Sequence, residues 1–390
     1  MFAVASADVV GHPRRIALDY LKTTVVLMVV AHHSCLAYTT FFTSPVPAVP
    51  VIDTHHWQPF NYAAGFNDVF FMSLMFFISG LFVWPSLRRS GPLAFVRDRA
   101  VRLGVPFAVG VVLLMPLAYY ASWQLTQRDT GFFAFCRQII ARQWPPGPLW
   151  FVWLLLFFDV LAAVFFIAWP SRMRAVPLTW TKRRPLTAAA GIFVTCTIFY
   201  LPTVAAFGPY TWGPFFIPPF YFQLSRFGLY LVWFAVGAWL GSDDLEHGLL
   251  ARDGTLARHW SWWVAACVVA YNTLIFLPMK PAATGAVGSD SGGPVHDLLW
   301  IVSCVASCFA FLALFCGMVR SKQPWIDSIS RSAYVIYLVH YAYVLWLQRA
   351  LVGSDVHAIL KFLIVFFGAL LFSWLTAQWL LGFAHLRKIL

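Results

Sequence analysis

Apolar residues in this chain gather into blocks of about 17 to 25, the length a helix needs to cross a hydrocarbon core, and shorter polar stretches divide the blocks. They lie near 16–38, 64–84, 102–121, 149–169, 187–203, 221–241, 260–279, 298–319, 332–349 and 359–382. The pattern predicts an all-α polytopic membrane bundle of about ten transmembrane helices, spanning 16–382, with a short segment 1–15 before it and a tail 383–390 after it. The fifth block is short and ends at Leu201-Pro202 before a loop rich in Pro, Gly and aromatic residues. A re-entrant segment there would reverse every later crossing. Between the third and fourth blocks, Phe132 to Ile140 alternates at helical spacing between an apolar and a polar side, so it is expected on the membrane surface or as a cap on the bundle. No internal repeat is visible, which argues against a transporter built from paired halves.

Basic residues fall unevenly between the two alternating sets of loops. With the amino terminus inside, the cytoplasmic segments collect Arg14, Arg15, the cluster from Arg88 to Arg102, Arg172, Arg174, Lys182 to Arg184, Arg252, Arg258, Arg320 to Arg331, Arg387 and Lys388. The outer segments hold only Arg128, Arg137, Arg142, Lys280, Arg349 and Lys361. This bias supports both termini being cytoplasmic, and the expected location is the cell inner membrane. The basic pair Arg14-Arg15 leads into a long helix with no small-residue cleavage site, so the first span reads as a retained anchor.

Composition agrees with the blocks: 61% hydrophobic and 11% charged residues are incompatible with a soluble domain. The net charge of +12 implies no nucleic-acid partner, because the cations sit in short loops between apolar runs. Five of the seven cysteines lie within apolar runs, where they pack as small hydrophobes, and only Cys35 and Cys136 approach the outer compartment. A disulfide framework is therefore not expected.

Candidate chemistry concentrates on the first block. Lys22 and His33 are eleven residues apart, about three helical turns, so they share one face about 16 Å apart, and Asp19 falls on much the same stripe. A charge facing lipid at the bilayer centre costs at least about 2.5 kcal/mol. The stripe is therefore expected to face protein or a water-filled passage. His33 is the candidate base, since imidazole exchanges a proton near neutral pH; the plainer reading is an interfacial histidine bonded to a neighbouring helix. Lys22 either snorkels to the cytoplasmic surface or faces the bundle beside Asp19. Arg97, Arg99 and Arg102 either anchor the third span or clamp a polyanion such as a nucleotide phosphate, which the guanidinium fork suits. Asp68 opens the second span at the depth of His33 and either orients that imidazole or is a solvated end residue. Asp159, Arg226 and His340 are further ionisable groups in or near spans. The single glutamate, Glu246, lies in a cytoplasmic loop, and neither a His-x-x-x-His nor a Cys-x-x-Cys pattern points to a metal. A Gly-x-Ser-x-Gly elbow is absent from the sequence.

Several of these residues together resemble the membrane-bound acyltransferase 3 family. The resemblance rests on Leu18-Asp19-Tyr-Leu-Lys22 followed by His33, on Phe76-Phe77-Ile78-Ser79-Gly80, and on Phe95-Val-Arg97-Asp-Arg99-Ala-Val-Arg102-Leu-Gly-Val-Pro106. Pro148-Leu149-Trp150-Phe151 and Ser332-Ala-Tyr334-Val-Ile-Tyr337-Leu-Val-His340 are similar to its fourth-span and late-span signatures. Within the family, Arg102 to Tyr120 is most similar to members of the glucan-succinylating type. Lys22 stands where arginine is commoner, which keeps the charge and loses the bidentate fork. The resemblance implies an acyl-CoA donor on the cytoplasmic side and no permanently bound cofactor. It also implies an acceptor hydroxyl, on a glycan or lipid-linked sugar, at the outer side. Membrane lipids surround the bundle. His33 is the implied base, with Asp19 and Asp68 as further catalytic candidates, while Lys22, Arg97, Arg99, Arg102, Arg226 and His340 would bind substrate and Trp150 and Tyr337 would offer donors to an oxyanion. A carrier or exporter using His33, Asp68 and Lys22 as a proton or substrate path is the competing expectation, and a structural subunit a third.

Overall fold

A computed structural model describes residues 13–41, 50–126, 130–169, 178–243, 248–276 and 293–390. The expected basic residues Arg128, Arg172, Arg174 and Lys280, the glutamate Glu246 and the segment before Pro13 lie outside the described residues, as do the side chains of Arg14 and Arg15. The first half of the chain forms α1 (Pro13–Leu36), α2 (Gln58–Gly80), α3 (Val83–Ser90), α4 (Pro92–Arg99), α5 (Val105–Val109), α6 (Met115–Thr126), α7 (Phe132–Arg142) and α8 (Trp150–Ala168). Then follow α9 (Thr179–Arg183), α10 (Pro185–Phe207), α11 (Phe227–Leu240), α12 (Thr255–Arg258) and α13 (Trp260–Phe276). The last elements are α14 (Gly293–Met318), α15 (Pro324–Leu351), α16 (Ala358–Gly382) and α17 (Ala384–Ile389). Among the described residues the only sheet is an antiparallel hairpin between α10 and α11, β1 (Trp212–Pro214) with β2 (Tyr221–Gln223), registered Trp212 to Gln223 and Pro214 to Tyr221.

The protein is an all-α membrane bundle. Seven helices among the described residues are long and apolar enough to cross a membrane, and Leu224–Leu240 and Trp260–Phe276 are shorter apolar helices. The uncertain fifth block is α10, a continuous 23-residue helix that carries Pro202 inside it. The ninth block starts earlier than its apolar content indicates, because α15 begins at Pro324 with a polar turn before the enclosed stretch Ser332–Ala342. The sixth starts later, because 221–223 is strand. Phe132 to Ile140 is helical as its periodicity predicts: α7 buries Phe135 and Ile139, and Phe135 packs on Tyr120 and Trp123 of α6.

Prolines shape the third membrane segment. Pro106 and Pro116 lack an N–H and crowd the carbonyls a turn back, and each follows a π-helical turn, Ala100–Gly104 and Gly110–Leu114. The wider turns free carbonyls that lipid cannot satisfy. Side chains from elsewhere supply the donors. The Tyr334 hydroxyl donates to the Arg102 carbonyl at 2.7 Å, and the Trp144 indole donates to the Val111 carbonyl at 3.1 Å. These bonds tie α15 and the loop before α8 to the proline-bent segment.

Helix α1 lies inside the bundle, against α15, α2, α14 and α16. It runs parallel to α15, because the Tyr20 hydroxyl meets Asp327 at 2.6 Å near one end while Gln348 reaches the carbonyls of His33 and Ser34 near the other. Helices α2 and α11 touch backbone to backbone: a Cβ on Gly80 would overlap the Phe234 carbonyl, and one on Gly237 the Phe77 carbonyl. The glycine of Phe76-Phe77-Ile78-Ser79-Gly80 is thus a packing requirement. At the Gly80 end, the loops are pinned by Asp243 accepting the Leu178 N–H at 2.7 Å and by Lys182 bonding Asp253 at 2.6 Å.

Lys361, expected as an outer-loop cation, is instead sealed in the fold. Its ammonium, 0% exposed, bonds the Asp53 carboxylate, 1% exposed, at 2.7 Å, with His55 close by. The reason is that the segment after α1 folds back over the first turn of α16, held by Asp53 N–H to Ala37 and Trp57 N–H to Tyr38, both at 3.0 Å. A buried pair that loses one partner strands the other charge at a cost of about 3–5 kcal/mol. Lys361→Ala is expected to lower stability by that order in detergent thermal melts, while the joint replacement Lys361→Met with Asp53→Leu recovers most of the loss. Gly237→Val is expected to cost about 3 kcal/mol or more in the same melts, by forcing α2 and α11 apart.

Candidate functional site

His33 lies three residues before the end of α1, half-buried, with its Nδ1 sealed and unpartnered. Three rings enclose it: His32 at 5.3 Å between centroids and nearly perpendicular, His340 at 5.3 Å and tilted by 36°, and Tyr341 at 5.0 Å. Gln348 donates its side-chain amide to the His33 carbonyl at 2.9 Å and to that of Ser34 at 3.2 Å, which fixes the last turn of α1 against α15. Burial on α15 follows from its sequence. Residues 333, 337, 340, 341, 344 and 348 repeat at three- and four-residue spacing, which brings Tyr337, His340, Tyr341 and Gln348 to the inner face.

The floor of this cluster is the turn before α8. Gly147 adopts φ +53°, a left-handed conformation that glycine takes without strain, and a Cβ there would strike the Met115 sulfur at 2.5 Å and crowd the Tyr119 hydroxyl at 3.3 Å. Tyr119 packs on Tyr341 at 5.6 Å. The Tyr337 hydroxyl donates to the Pro148 carbonyl, so it is engaged rather than poised for a substrate oxygen. Trp150 is buried in a separate aromatic stack with Tyr230 at 5.4 Å and Trp212 at 5.7 Å.

Asp68 does not orient His33. Its carboxylate takes both terminal nitrogens of Arg226, at 2.8 and 2.5 Å, and the Asp68 carbonyl accepts a third bond at 3.0 Å. The guanidinium lies 4.8 Å over Trp300, which in turn stacks on Tyr200. Arg226 is sealed at 2% exposure, yet the Asp68 side chain stays 37% open. The pair therefore presents a carboxylate face to open space and keeps its cation inside.

The predicted arginine clamp divides. Arg97 is exposed, Arg102 half-buried, and Arg99 turns inward to Asp159 at 3.2 Å and over Phe95 at 4.9 Å. Residue 99 is the one that meets α8, and the buried Asp159 carboxylate needs its charge. At the start of α1, Asp19 is exposed and stands 3.7 Å from the half-buried Lys22, far from His33 along the helix. The stripe between Lys22 and His33 is not an open wall: Val26 and Val29, on the same face, are 1% and 3% exposed. Half-open positions on α1 run instead through Thr24, Met28 and His32, at four-residue spacing.

Sequence reasoning missed Tyr119, Tyr341, Gln348 and the Gly147 turn. An amide and two phenols in apolar runs were the available signals. Among the described residues, no group of three His, Cys, Asp or Glu side chains is placed to hold a metal ion.

A family profile described as an acyltransferase domain matches residues 15–378, nearly the whole chain. The chain belongs to the acyltransferase 3 family. No curated protein and no solved structure matches it. This membrane acyltransferase thus holds every site described above, including the imidazole cluster and the Asp68–Arg226 pair, inside the matched domain. Arg226→Lys, which keeps the charge and loses the bidentate fork, is expected to cost roughly 2 kcal/mol in detergent melts. That is below the loss for a fully sealed pair, because the carboxylate is partly open.

Proposed function

We propose that this acyltransferase moves an acyl group of acetyl or succinyl type from cytoplasmic acyl-CoA to a hydroxyl of a glycan or lipid-linked sugar at the outer face of the inner membrane, with His33 as general base. The reading rests on one observation above all: an imidazole held near the end of α1, half-open, walled by aromatic rings and imidazoles, within a domain that matches acyltransferases. With both termini inside, as the loop charges favour, that end of α1 lies in the outer half of the bilayer.

In this scheme the acceptor hydroxyl gives its proton to His33 while its oxygen bonds to the thioester carbonyl carbon. The carbon–sulfur bond then breaks, and the departing thiolate takes the proton back, so that an ester and free CoA leave. Arg97, Arg102 and Lys22 attract the anionic donor at the cytoplasmic end, and Arg99 braces that region through Asp159. The thioester reaches His33 along the half-open line of Thr24, Met28 and His32, or by parting of Val26 and Val29. In this scheme Asp68, whose side chain is partly open, receives sugar hydroxyls of the acceptor.

His33→Ala at matched membrane abundance is expected to abolish acyl transfer, read as release of free CoA thiol and as loss of the acyl mass increment on envelope glycans and glycolipids. Wild-type turnover in that variant removes His33 from the reaction. Replacing Arg97 and Arg102 together by Ala is expected to raise the apparent KM for acyl-CoA about tenfold or more, with kcat changed far less. An unchanged KM returns both residues to membrane anchoring.

A further inference from the structure

Two ring nitrogens are buried without a partner where α1 meets α15: Nδ1 of His33 and Nε2 of His340. They belong to imidazoles whose centroids are 5.3 Å apart. An orphaned polar atom in a sealed site costs about 1–3 kcal/mol, and two on facing rings call for a common explanation. The tautomer supplies it. His340 Nδ1 stands 2.7 Å from the Tyr337 carbonyl, which can only accept, so the hydrogen of the neutral ring is on Nδ1 and Nε2 carries a lone pair. His340 is completely buried, so no solvent proton competes for that lone pair.

We infer that His340 is the positioning residue for His33: its Nε2 lone pair accepts the Nδ1–H of His33, so that the His33 Nε2 is left as the lone pair that takes a proton. Two imidazoles with centroids 5.3 Å apart reach hydrogen-bond distance when their nitrogens point at one another. The inference deepens the proposed role of His33 and rests on it for its chemical meaning, though the pairing of the rings stands on geometry alone. His340 does not contact substrate in this arrangement. Its part is that of a neutral acceptor that holds one tautomer and steadies the imidazolium once His33 is protonated. The other groups facing His33 are His32 on its own helix, which has the Asp68 carboxylate beyond it, Tyr341 of α15, and Tyr119 of α6 behind Tyr341. His32 also has a buried, unpartnered Nδ1 and is the rival acceptor.

Two substitutions separate the functions of the His340 ring. His340→Asn keeps a donor for the Tyr337 carbonyl and removes the acceptor at the ε position; His340→Gln offers a carbonyl oxygen at that position. Purified full-length protein in detergent is treated with diethylpyrocarbonate, which acylates unprotonated imidazole nitrogen, and modification of the peptide containing His33 is followed by mass spectrometry, with His32→Asn as control. In the wild type, His33 is expected to be modified readily. His340→Asn is expected to slow that modification about fivefold or more at equal melting temperature, His340→Gln to restore most of it, and His32→Asn to leave it near wild type.

An unreactive wild-type His33, an unchanged rate in His340→Asn, or a larger effect from His32→Asn each overturns the pairing. If His340→Asn does not fold, failure of His340→Gln to sustain the wild-type rate is the overturning result. Because this labelling needs no donor or acceptor, it is independent of the proposed activity. Where turnover is measured, kcat for CoA release is expected to fall about tenfold in His340→Asn at unchanged KM for acyl-CoA, with partial rescue in His340→Gln. A protein with normal labelling behaviour and no transfer would instead count against the acyltransfer scheme.

Discussion

A hydrogen-bonding group inside a membrane has no water to turn to, and that constraint organises this molecule. Its effect is sharpest where Pro106 and Pro116 leave carbonyls of the third segment without their helical donors. The Tyr334 hydroxyl and the Trp144 indole answer those carbonyls, and in doing so bring α15 and the turn before α8 to the same wall. The same turn contains Gly147 beside Tyr119, and the same helix presents Tyr337, His340 and Tyr341. The bonds that satisfy the backbone of the proline-bent segment are thus the ones that hold the walls of the His33 cluster together.

Charges obey the same rule. Arg99 with Asp159, Arg226 with Asp68 and Lys361 with Asp53 are each drawn together from distant parts of the chain. They differ in what they leave open. The Lys361 pair is sealed on both sides and fastens the loop after α1 to α16. The Arg226 pair is sealed only on the cation side, and Asp68 keeps a partly exposed carboxylate face.

Much of this was legible in the sequence because apolar block length is a direct measure of membrane thickness. The helical blocks followed from that measure, while the amphipathic Phe132 to Ile140 and the shared face of Lys22 and His33 on α1 followed from the helical period. Pairing between blocks was not legible. Nothing local to Asp68 indicates Arg226, 158 residues on, and the polar content of α15 gives no sign that His340 meets His33. Lys361 read as a loop cation because charge counts record position along the chain, whereas its burial depends on a segment three hundred residues earlier. The register of π-helical turns was implicit in Pro106 and Pro116, but the donors that answer them come from elsewhere in the fold.

Val26 and Val29 give the polar face of α1 a dry interval between its two hydrophilic ends. An apolar interval that excludes water between two polar ends is electrical insulation across a membrane. A continuous wet bore would short-circuit the ion gradient at every resting molecule, whereas close-packed branched aliphatic side chains keep water and ions out. Trimming the valines would therefore let water into the interval and, with it, a standing leak of ions.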